Sequence, residues 1–112
     1  MGGVIMANPQ EIFDELGRRL ASSPDKLAGM NAVYQFDLSG DQGGQWFLEV
    51  GNGVASVVAG VKSEPNLTIS MSGENFVELA TGKLDGTMAF MTGKLKVKGD
   101  MGLAMKLQNL LR

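Results

Sequence analysis

The pattern of apolar and polar positions divides the first half of the chain into a helix and strands. Apolar residues recur at helical spacing from Ile12 to Leu20, whereas Val33–Leu38 and Gln45–Val50 alternate with a period of two. A repeat of about 3.6 residues makes one side of a helix apolar, and a period of two makes one face of a strand apolar. The pattern predicts a helix followed by strands whose sheet has one buried face.

Capping and turn residues predict where these segments begin and end. Asn8 followed by Pro9 predicts a helix start, because Asn caps free backbone amides and Pro fits the first turn. Short glycine-containing turns at 40–44 and 51–53 join three strands, the last over Val54–Val61, into an antiparallel meander.

The second half adds a fourth strand, two short helices, a fifth strand and a last helix. The predicted segments are Leu67–Met71, Glu74–Thr81, a helix capped by Asp85, Lys94–Lys98 and a helix capped by Asp100. Gly82 and Gly93 predict the ends of the short helices. Three lysines on one face of the fifth strand are typical of a sheet edge. This order predicts an α+β domain, a five-stranded sheet with helices largely on one face.

Length and composition indicate one domain, residues 1–112, with a loose tail over 1–7. The 112 residues are 44% hydrophobic and include neither cysteine nor histidine. Thiolate nucleophiles, the usual zinc sites and imidazole acid–base catalysis are therefore excluded. No phosphate, dinucleotide or calcium motif is present, so we expect no cofactor, no metal and no enzymatic activity. No apolar run approaches the roughly 18 residues of a membrane span, and we expect a cytoplasmic location.

The charge distribution leaves two interpretations open. The net charge of −2 argues against nucleic acid as a partner. Residues 1–92 carry five basic and eleven acidic side chains, whereas residues 93–112 carry five basic and one acidic. The basic end, with Lys94, Lys96 and Lys98, attracts an anionic ligand or a membrane surface, or else its charges serve only solubility and edge protection.

The last helix is apolar over more of its surface than packing on a sheet requires. Leu103, Leu107 and Leu110 form one stripe, and Met101 and Met105 form a second stripe beside it. The surplus faces either the two short helices, which would enclose a hydrophobic ligand, or a partner subunit.

Several segments resemble the sterol carrier protein type two family. They are Leu67–Met71, Phe76, Leu79–Lys83 and, above all, Gly93–Leu110. The resemblance implies a five-stranded sheet of mixed, largely antiparallel direction and an apolar tunnel between the sheet and the C-terminal helices. It also implies ligands such as fatty acids, fatty acyl-CoA, phospholipids or sterols. Peroxisomal members end in a short Ala-Lys-Leu-type signal, which Leu110–Arg112 do not match, so we expect a stand-alone, bacterial protein. Because most bacteria make no sterols, we expect fatty acyl ligands rather than sterols.

The resemblance also implies a set of ligand-binding residues and a function. The implied tunnel residues are Trp46, Leu48, Phe76, Leu79, Met88, Phe90, Met91, Met101, Ala104, Met105 and Leu107. The implied function is that of a non-enzymatic lipid-binding and lipid-transfer protein, a monomer or weak homodimer that meets membranes transiently. The alternative is an interaction or dimerisation module whose apolar last helix docks a partner subunit or enzyme.

Overall fold

A computed structural model of the protein describes residues 8–22 and 24–110, and within them five helices and five strands. The elements in chain order are α1 (Pro9–Ala21), α2 (Pro24–Leu27), β1 (Ala32–Ser39), β2 (Gly44–Gly51), β3 (Val54–Ala59), β4 (Leu67–Ser72), α3 (Gly73–Ala80), α4 (Gly86–Met91), β5 (Leu95–Gly99) and α5 (Met101–Leu110). The tail predicted for residues 1–7 lies outside the described residues.

The five strands form one mixed sheet in the order β3-β2-β1-β4-β5. Strands β1, β2 and β3 form the predicted antiparallel meander, and β5 pairs antiparallel with β4. The central pair, β1 and β4, is parallel. The predicted five-stranded, mixed and largely antiparallel sheet is therefore confirmed, as is the edge position of the lysine-rich strand β5.

Register places the alternating apolar residues on one face of the sheet. Phe36 of β1 lies opposite Trp46 of β2 and Ile69 of β4, and Ile69 lies opposite Val97 of β5. Phe36, Trp46 and Ile69 are buried, and Val97 is half-buried. Helix α1 packs on this face, and its Phe13 ring stacks 4.9 Å from the Trp46 ring. The predicted helix-covered apolar face is therefore confirmed.

On the opposite face, the connection from β3 to β4 is held by Gln35. Its side-chain amide donates hydrogen bonds to the carbonyl oxygens of Trp46 and Gly60, both at 3.2 Å. Its carbonyl oxygen accepts from the backbone N–H of Lys62 at 2.9 Å. Gln35 is therefore buried without an unpaired amide, as a buried polar side chain requires. The strand before this connection ends at Ala59 rather than at the predicted Val61.

The predicted helix caps are present in the structure. Asn8 Oδ1 accepts from the Glu11 N–H at 2.9 Å, and Asp85 Oδ2 accepts from the Met88 N–H at 3.0 Å. Asp100 Oδ1 accepts from the Gly102 N–H at 2.9 Å. Each carboxylate or amide oxygen satisfies a backbone donor that the first helical turn leaves free.

Glycines end the two short helices as predicted. Gly82 and Gly93 follow α3 and α4 with φ of 84° and 81°, in the left-handed region that glycine adopts without strain. Helix α3 begins at Gly73, one residue before the predicted start. Ser72 caps it, because its hydroxyl accepts from the Asn75 N–H at 3.0 Å.

Candidate functional site

A cavity of about 460 Å³ lies between the sheet and helices α3, α4 and α5. Its floor is the helix-covered face of β1, β4 and β5, and its walls come from the three helices and the loop before α4. The lining residues are Phe36, Ile69, Met71, Phe76, Leu79, Ala80, Gly82, Leu84, Asp85, Gly86, Thr87, Phe90, Leu95, Val97, Met101, Ala104 and Met105. Its volume is within the usual range for small-molecule sites.

The lining is almost entirely apolar. Among the residues whose side chains the structure describes, Asp85 and Thr87 alone bring polar side chains to the lining, and no lysine or arginine lines the cavity. Asp85 Oδ2 is already engaged with the Met88 N–H at the start of α4. Such a cavity suits a hydrocarbon group, because binding removes apolar surface from water and leaves few polar groups of the wall without hydrogen bonds.

The cavity is partly open to solvent, and exposed side chains of α4 and α5 line it. Phe90, Met101 and Met105 line it, yet 47% to 71% of each side chain is exposed. Met88 and Met91, also on α4, are exposed without lining the cavity. We call these five residues, Met88, Phe90, Met91, Met101 and Met105, the rim patch.

The structure brings together six of the eleven residues proposed from the sequence. Lining the cavity are Phe76, Leu79, Phe90, Met101, Ala104 and Met105. Trp46 and Leu48 lie instead in the buried core on β2, which two strands separate from β5. Met88 and Met91 are exposed and do not line the cavity, and the side chain of Leu107 lies outside the described part of the chain.

The residues of the cavity floor were not among the site residues predicted from the sequence. It consists of inward-facing residues of three strands, Phe36, Ile69, Met71, Leu95 and Val97. Their alternation with polar neighbours was a readable signal for a buried face. Alternation does not show which strands lie side by side, however, so it could not separate this floor from the inward residues of β2.

One buried polar group lies close to the start of α5. The side chain of Tyr34 is wholly buried, and its hydroxyl has no hydrogen-bond partner within residues 8–22 and 24–110. Burial, and secondarily the negative charge of Asp100, raises the pKa of this phenol. Tyr34 is not among the residues that line the cavity.

The described residues contain no group of three or more acidic side chains placed to hold a metal ion. No helix among them has both the length and the apolar character that crossing a membrane requires.

Comparison with known proteins assigns the family. A family model described as the SCP-2 sterol transfer family matches residues 13–112. The chain belongs to this family. The resemblance noted in the sequence is thereby confirmed, and the chain is a lipid-binding domain of the sterol carrier type.

Curated relatives of this SCP-2 domain are considerably longer proteins. Hydroxysteroid dehydrogenase-like protein 2 from Xenopus tropicalis is 50% identical over 80 residues, which cover 70% of this chain and 19% of the relative. The protein of the same name from Danio rerio is 44% identical over 111 residues, covering 96% of this chain and 26% of the relative. The chain therefore spans about a fifth to a quarter of these relatives.

Solved structures share the fold over nearly the whole chain. Apo sterol carrier protein 2 from Yarrowia lipolytica has a TM-score of 0.75 at 29% identity, covering 89% of this chain and 86% of that one. Sterol carrier protein 2 from Aedes aegypti, in complex with palmitate, has a TM-score of 0.76 at 21% identity, covering 96% of both chains. At 21% identity, the Aedes aegypti structure shows that the fold is shared.

Part of a larger enzyme also has this fold. The sec-alkylsulfatase Pisa1 from Pseudomonas has a TM-score of 0.76 at 25% identity, covering 94% of this chain but 16% of that one. The SCP-2 fold thus occurs both as nearly a whole chain and within a longer one.

Proposed function

We propose that this SCP-2 domain binds a fatty acid, fatty acyl-CoA or similar single-chain lipid in the cavity and transfers it without catalysing a reaction. The observation that carries the proposal is the lining, in which the described side chains are apolar on the sheet and on all three helices, apart from Asp85 and Thr87. The missing histidine and cysteine agree with binding rather than catalysis.

The burial of a hydrocarbon chain is sufficient for useful affinity. Each methylene transferred from water contributes about 0.8 kcal/mol, so a dozen contribute about 10 kcal/mol. Association costs take back several kcal/mol, and micromolar binding requires about 8 kcal/mol. The proposed ligand therefore needs a long, flexible chain more than a specific head group.

The polarity of the site orients the ligand. A charged head group placed inside would lose its hydration without gaining a cationic partner from the lining that the structure describes, which contains no lysine or arginine. The head group therefore stays at the opening between α4 and α5, and the hydrocarbon chain lies over the floor formed by Ile69 and Val97. Head-group selectivity is expected to be weak.

The comparisons support the ligand class. The same fold holds palmitate in the Aedes aegypti protein, and the Yarrowia lipolytica relative is named a sterol carrier protein. Transfer, rather than storage, fits a cavity with an exposed apolar opening. In hydroxysteroid dehydrogenase-like proteins the matching segment is one part of a longer chain, so delivery to an enzymatic domain is one form that transfer takes in this proposal.

The proposal is tested by displacement of a fluorescent fatty acid with palmitate, using the purified full chain. Saturable one-to-one displacement is expected. Phe90→Glu places a charge at the cavity wall and is expected to weaken binding at least 10-fold, since a carboxylate cannot be desolvated against a hydrocarbon chain. Val61→Glu is the control, because Val61 is also an exposed apolar residue but lies outside the cavity.

Two results would contradict the proposal. One is an absence of displacement from a folded protein. The other is equal affinity for the wild type, Phe90→Glu and Val61→Glu, which would place the ligand elsewhere. A stable dimer that binds no fatty acid would favour the interaction module instead.

A further inference from the structure

The two edges of the sheet differ in their protection against pairing with another strand. Strand β5, at one edge, carries Lys96 and Lys98, and lysines on an edge strand discourage such pairing. Strand β3, at the other edge, lies within an uncharged segment, Val54–Val61. Among the strands that the structure describes, none pairs with the outer side of β3. The β3 edge is therefore the one that is open to a further strand.

The side chains of β3 are those of a strand that pairs well. Three of its six residues are valines, and β-branched residues favour strands. Val54 and Val58 are exposed on the sheet face opposite the helices. Apart from Val61, the other exposed large hydrophobic residues of the described chain form the rim patch. An uncharged edge with exposed apolar side chains is typical of association by strand addition.

Alternate backbone groups of β3 face away from the sheet. The Gly60 N–H, directly after the strand, donates to the Gln45 carbonyl oxygen of β2 at 2.9 Å. Hydrogen-bonded pairs recur at every second residue of an antiparallel ladder, so the even-numbered residues of β3 bond to β2. The N–H and C=O groups of Ala55, Val57 and Ala59 therefore point outward, toward the position of a further strand.

Helix α1 changes the sign of its charge where it passes over the middle of β3. A Cβ atom at Gly17 would lie 3.9 Å from Cγ2 of Val57, the central outward-bonding residue. The charged residues of α1 before Gly17 are all acidic, and those after it are all basic. They are Glu11, Asp14 and Glu15, then Arg18 and Arg19. The acidic and basic halves of the helix therefore meet above Val57.

We infer that β3 pairs antiparallel with β3 of a second copy of the chain and joins the two sheets into one. The two-fold axis of this dimer passes at Val57, which pairs with Val57 of the second copy. Ala55 of each copy then pairs with Ala59 of the other. In this register every outward N–H and C=O group of β3 has a hydrogen-bond partner.

Charge selects a second copy as the occupant of this edge. Two-fold symmetry places the two α1 helices antiparallel on the same face of the joined sheet. The acidic half of each helix then lies nearest to the basic half of the other, and the two halves are complementary. Strand β3 itself adds no like charges. A dimer through β5 would instead bring Lys96 and Lys98 of both copies together, which destabilises pairing.

The inferred dimer leaves both cavities accessible. The cavity floor lies on β1, β4 and β5, whereas the paired edge is formed by β3, beyond β2. The two cavities therefore lie at opposite ends of the joined sheet. Dimerisation goes beyond the proposed lipid binding and does not depend on it.

Sedimentation equilibrium of the full chain tests this dimer. Wild type is expected to reach twice the monomer mass as its concentration rises. Val58→Lys gives β3 the kind of protection that β5 has and is expected to weaken dimerisation at least about 10-fold. Met91→Lys is the matched control, because it makes the same change in charge at an exposed apolar residue of the rim patch. Its dimerisation is expected to equal that of the wild type.

Three sedimentation results would overturn the dimer through β3. One is a wild type that stays monomeric at millimolar concentration. Another is a dimer that is lost in Met91→Lys but kept in Val58→Lys, which would place the interface at the rim patch. The third is assembly beyond the dimer, because a two-fold contact closes on itself.

Hydrogen exchange at single amides tests the register. As concentration rises through the dimerisation range, the amides of Ala55, Val57 and Ala59 are expected to exchange at least about 10-fold more slowly. The amides of Ser56 and Val58, already bonded to β2, are expected to change less. Equal slowing of both sets would overturn the register. Slow exchange of the first set in the monomer would overturn the dimer, because another segment of the same chain would then cover the edge.

Fatty acid displacement, measured for the wild type and Val58→Lys, separates the dimer from the proposed function. Equal affinities are expected, because Val58 does not line the cavity. Dimerisation without fatty acid binding would support the dimer and contradict the lipid-binding proposal. Fatty acid binding by a wild type that never dimerises would do the reverse.

Discussion

The two halves of the helix-covered sheet face are packed in very different ways. Under α1, the rings of Phe13, Trp46, Phe36 and Phe76 contact one another with centroids 4.9–5.9 Å apart. Over β4 and β5, the same face bounds a cavity of about 460 Å³. One sheet face therefore supports both a close-packed core and an open ligand site.

Helix length and side-chain type account for the difference. Helix α1 has 13 residues and buries Phe13, Leu16 and Leu20 in successive turns. Helix α4 has six residues, and of its side chains only Ala89 is buried. A short helix with a small contact residue cannot fill the space above a sheet, since interior packing needs side-chain volume.

The packed half also supports the open half. Phe36 and Phe76 contact Phe13 and also line the cavity. The inner wall of the cavity thus packs against the aromatic core, whereas its opening is formed by short helices with exposed methionines. Stability and ligand affinity should therefore respond to different substitutions.

The largest expected effect on stability is that of Phe13→Ala. Phe13 is wholly buried and contacts three other rings. Removing it is expected to lower the free energy of unfolding by about 3–5 kcal/mol, through lost burial and the cavity left behind. Urea denaturation followed by tryptophan fluorescence measures the change.

Phe90→Ala is the companion variant in the open half. Phe90 is about half exposed, so its removal is expected to cost less than about 1.5 kcal/mol of stability while weakening fatty acid binding. A similar loss of stability in Phe13→Ala and Phe90→Ala would mean that the two halves of the sheet face are equally well packed. That result would contradict the difference in packing described above.

A smaller effect is expected for Tyr34→Phe. The Tyr34 hydroxyl is buried without a hydrogen-bond partner in the described residues, and such a group is costly to keep from water. Replacement is expected to raise the free energy of unfolding by about 1 kcal/mol at neutral pH. Denaturation at pH 7 measures this change. If the substitution instead lowered the free energy of unfolding by the same amount, the Tyr34 hydroxyl would have a hydrogen-bond partner.

The same variant has an alkaline signature. Burial, and then the charge of Asp100, raises the pKa of Tyr34 above its ordinary value of about 10. Above pH 10 the unfolded chain releases the phenolic proton while the folded chain keeps it, so this residue makes wild type lose stability as pH rises. The stability advantage of Tyr34→Phe is expected to grow between about pH 9 and 11. Denaturation experiments at several pH values across this range measure the change.

The smallest global effect is expected for Asp85→Ala. Loss of the hydrogen bond to the Met88 N–H removes the cap of α4 and costs about 1 kcal/mol. The loss is expected to be local, because α4 contributes little buried surface. Hydrogen exchange should accelerate at α4 amides and remain unchanged in β1, whereas uniform acceleration would show that α4 unfolds only with the whole domain.

Much of the fold could be predicted from sequence, as could six of the seventeen residues that line the cavity. Capping residues and periodic apolar positions are local signals, so α1 and the sheet strands were predicted within a residue or two at most ends. Leu48 and Trp46 show the limit. Their inward orientation follows from alternation, but their distance from the cavity follows from strand order.

The sequence alone determined the elements, the helix caps at Asn8, Asp85 and Asp100, and the family, because these depend on neighbours a few residues apart and on a long specific motif. Only the tertiary structure decided that β4 pairs parallel with β1, and hence that β4 and β5 form the cavity floor. It also decided that Met88 and Met91 lie outside the cavity. Strand order and the placement of short helices depend on contacts between distant segments, which no local pattern specifies.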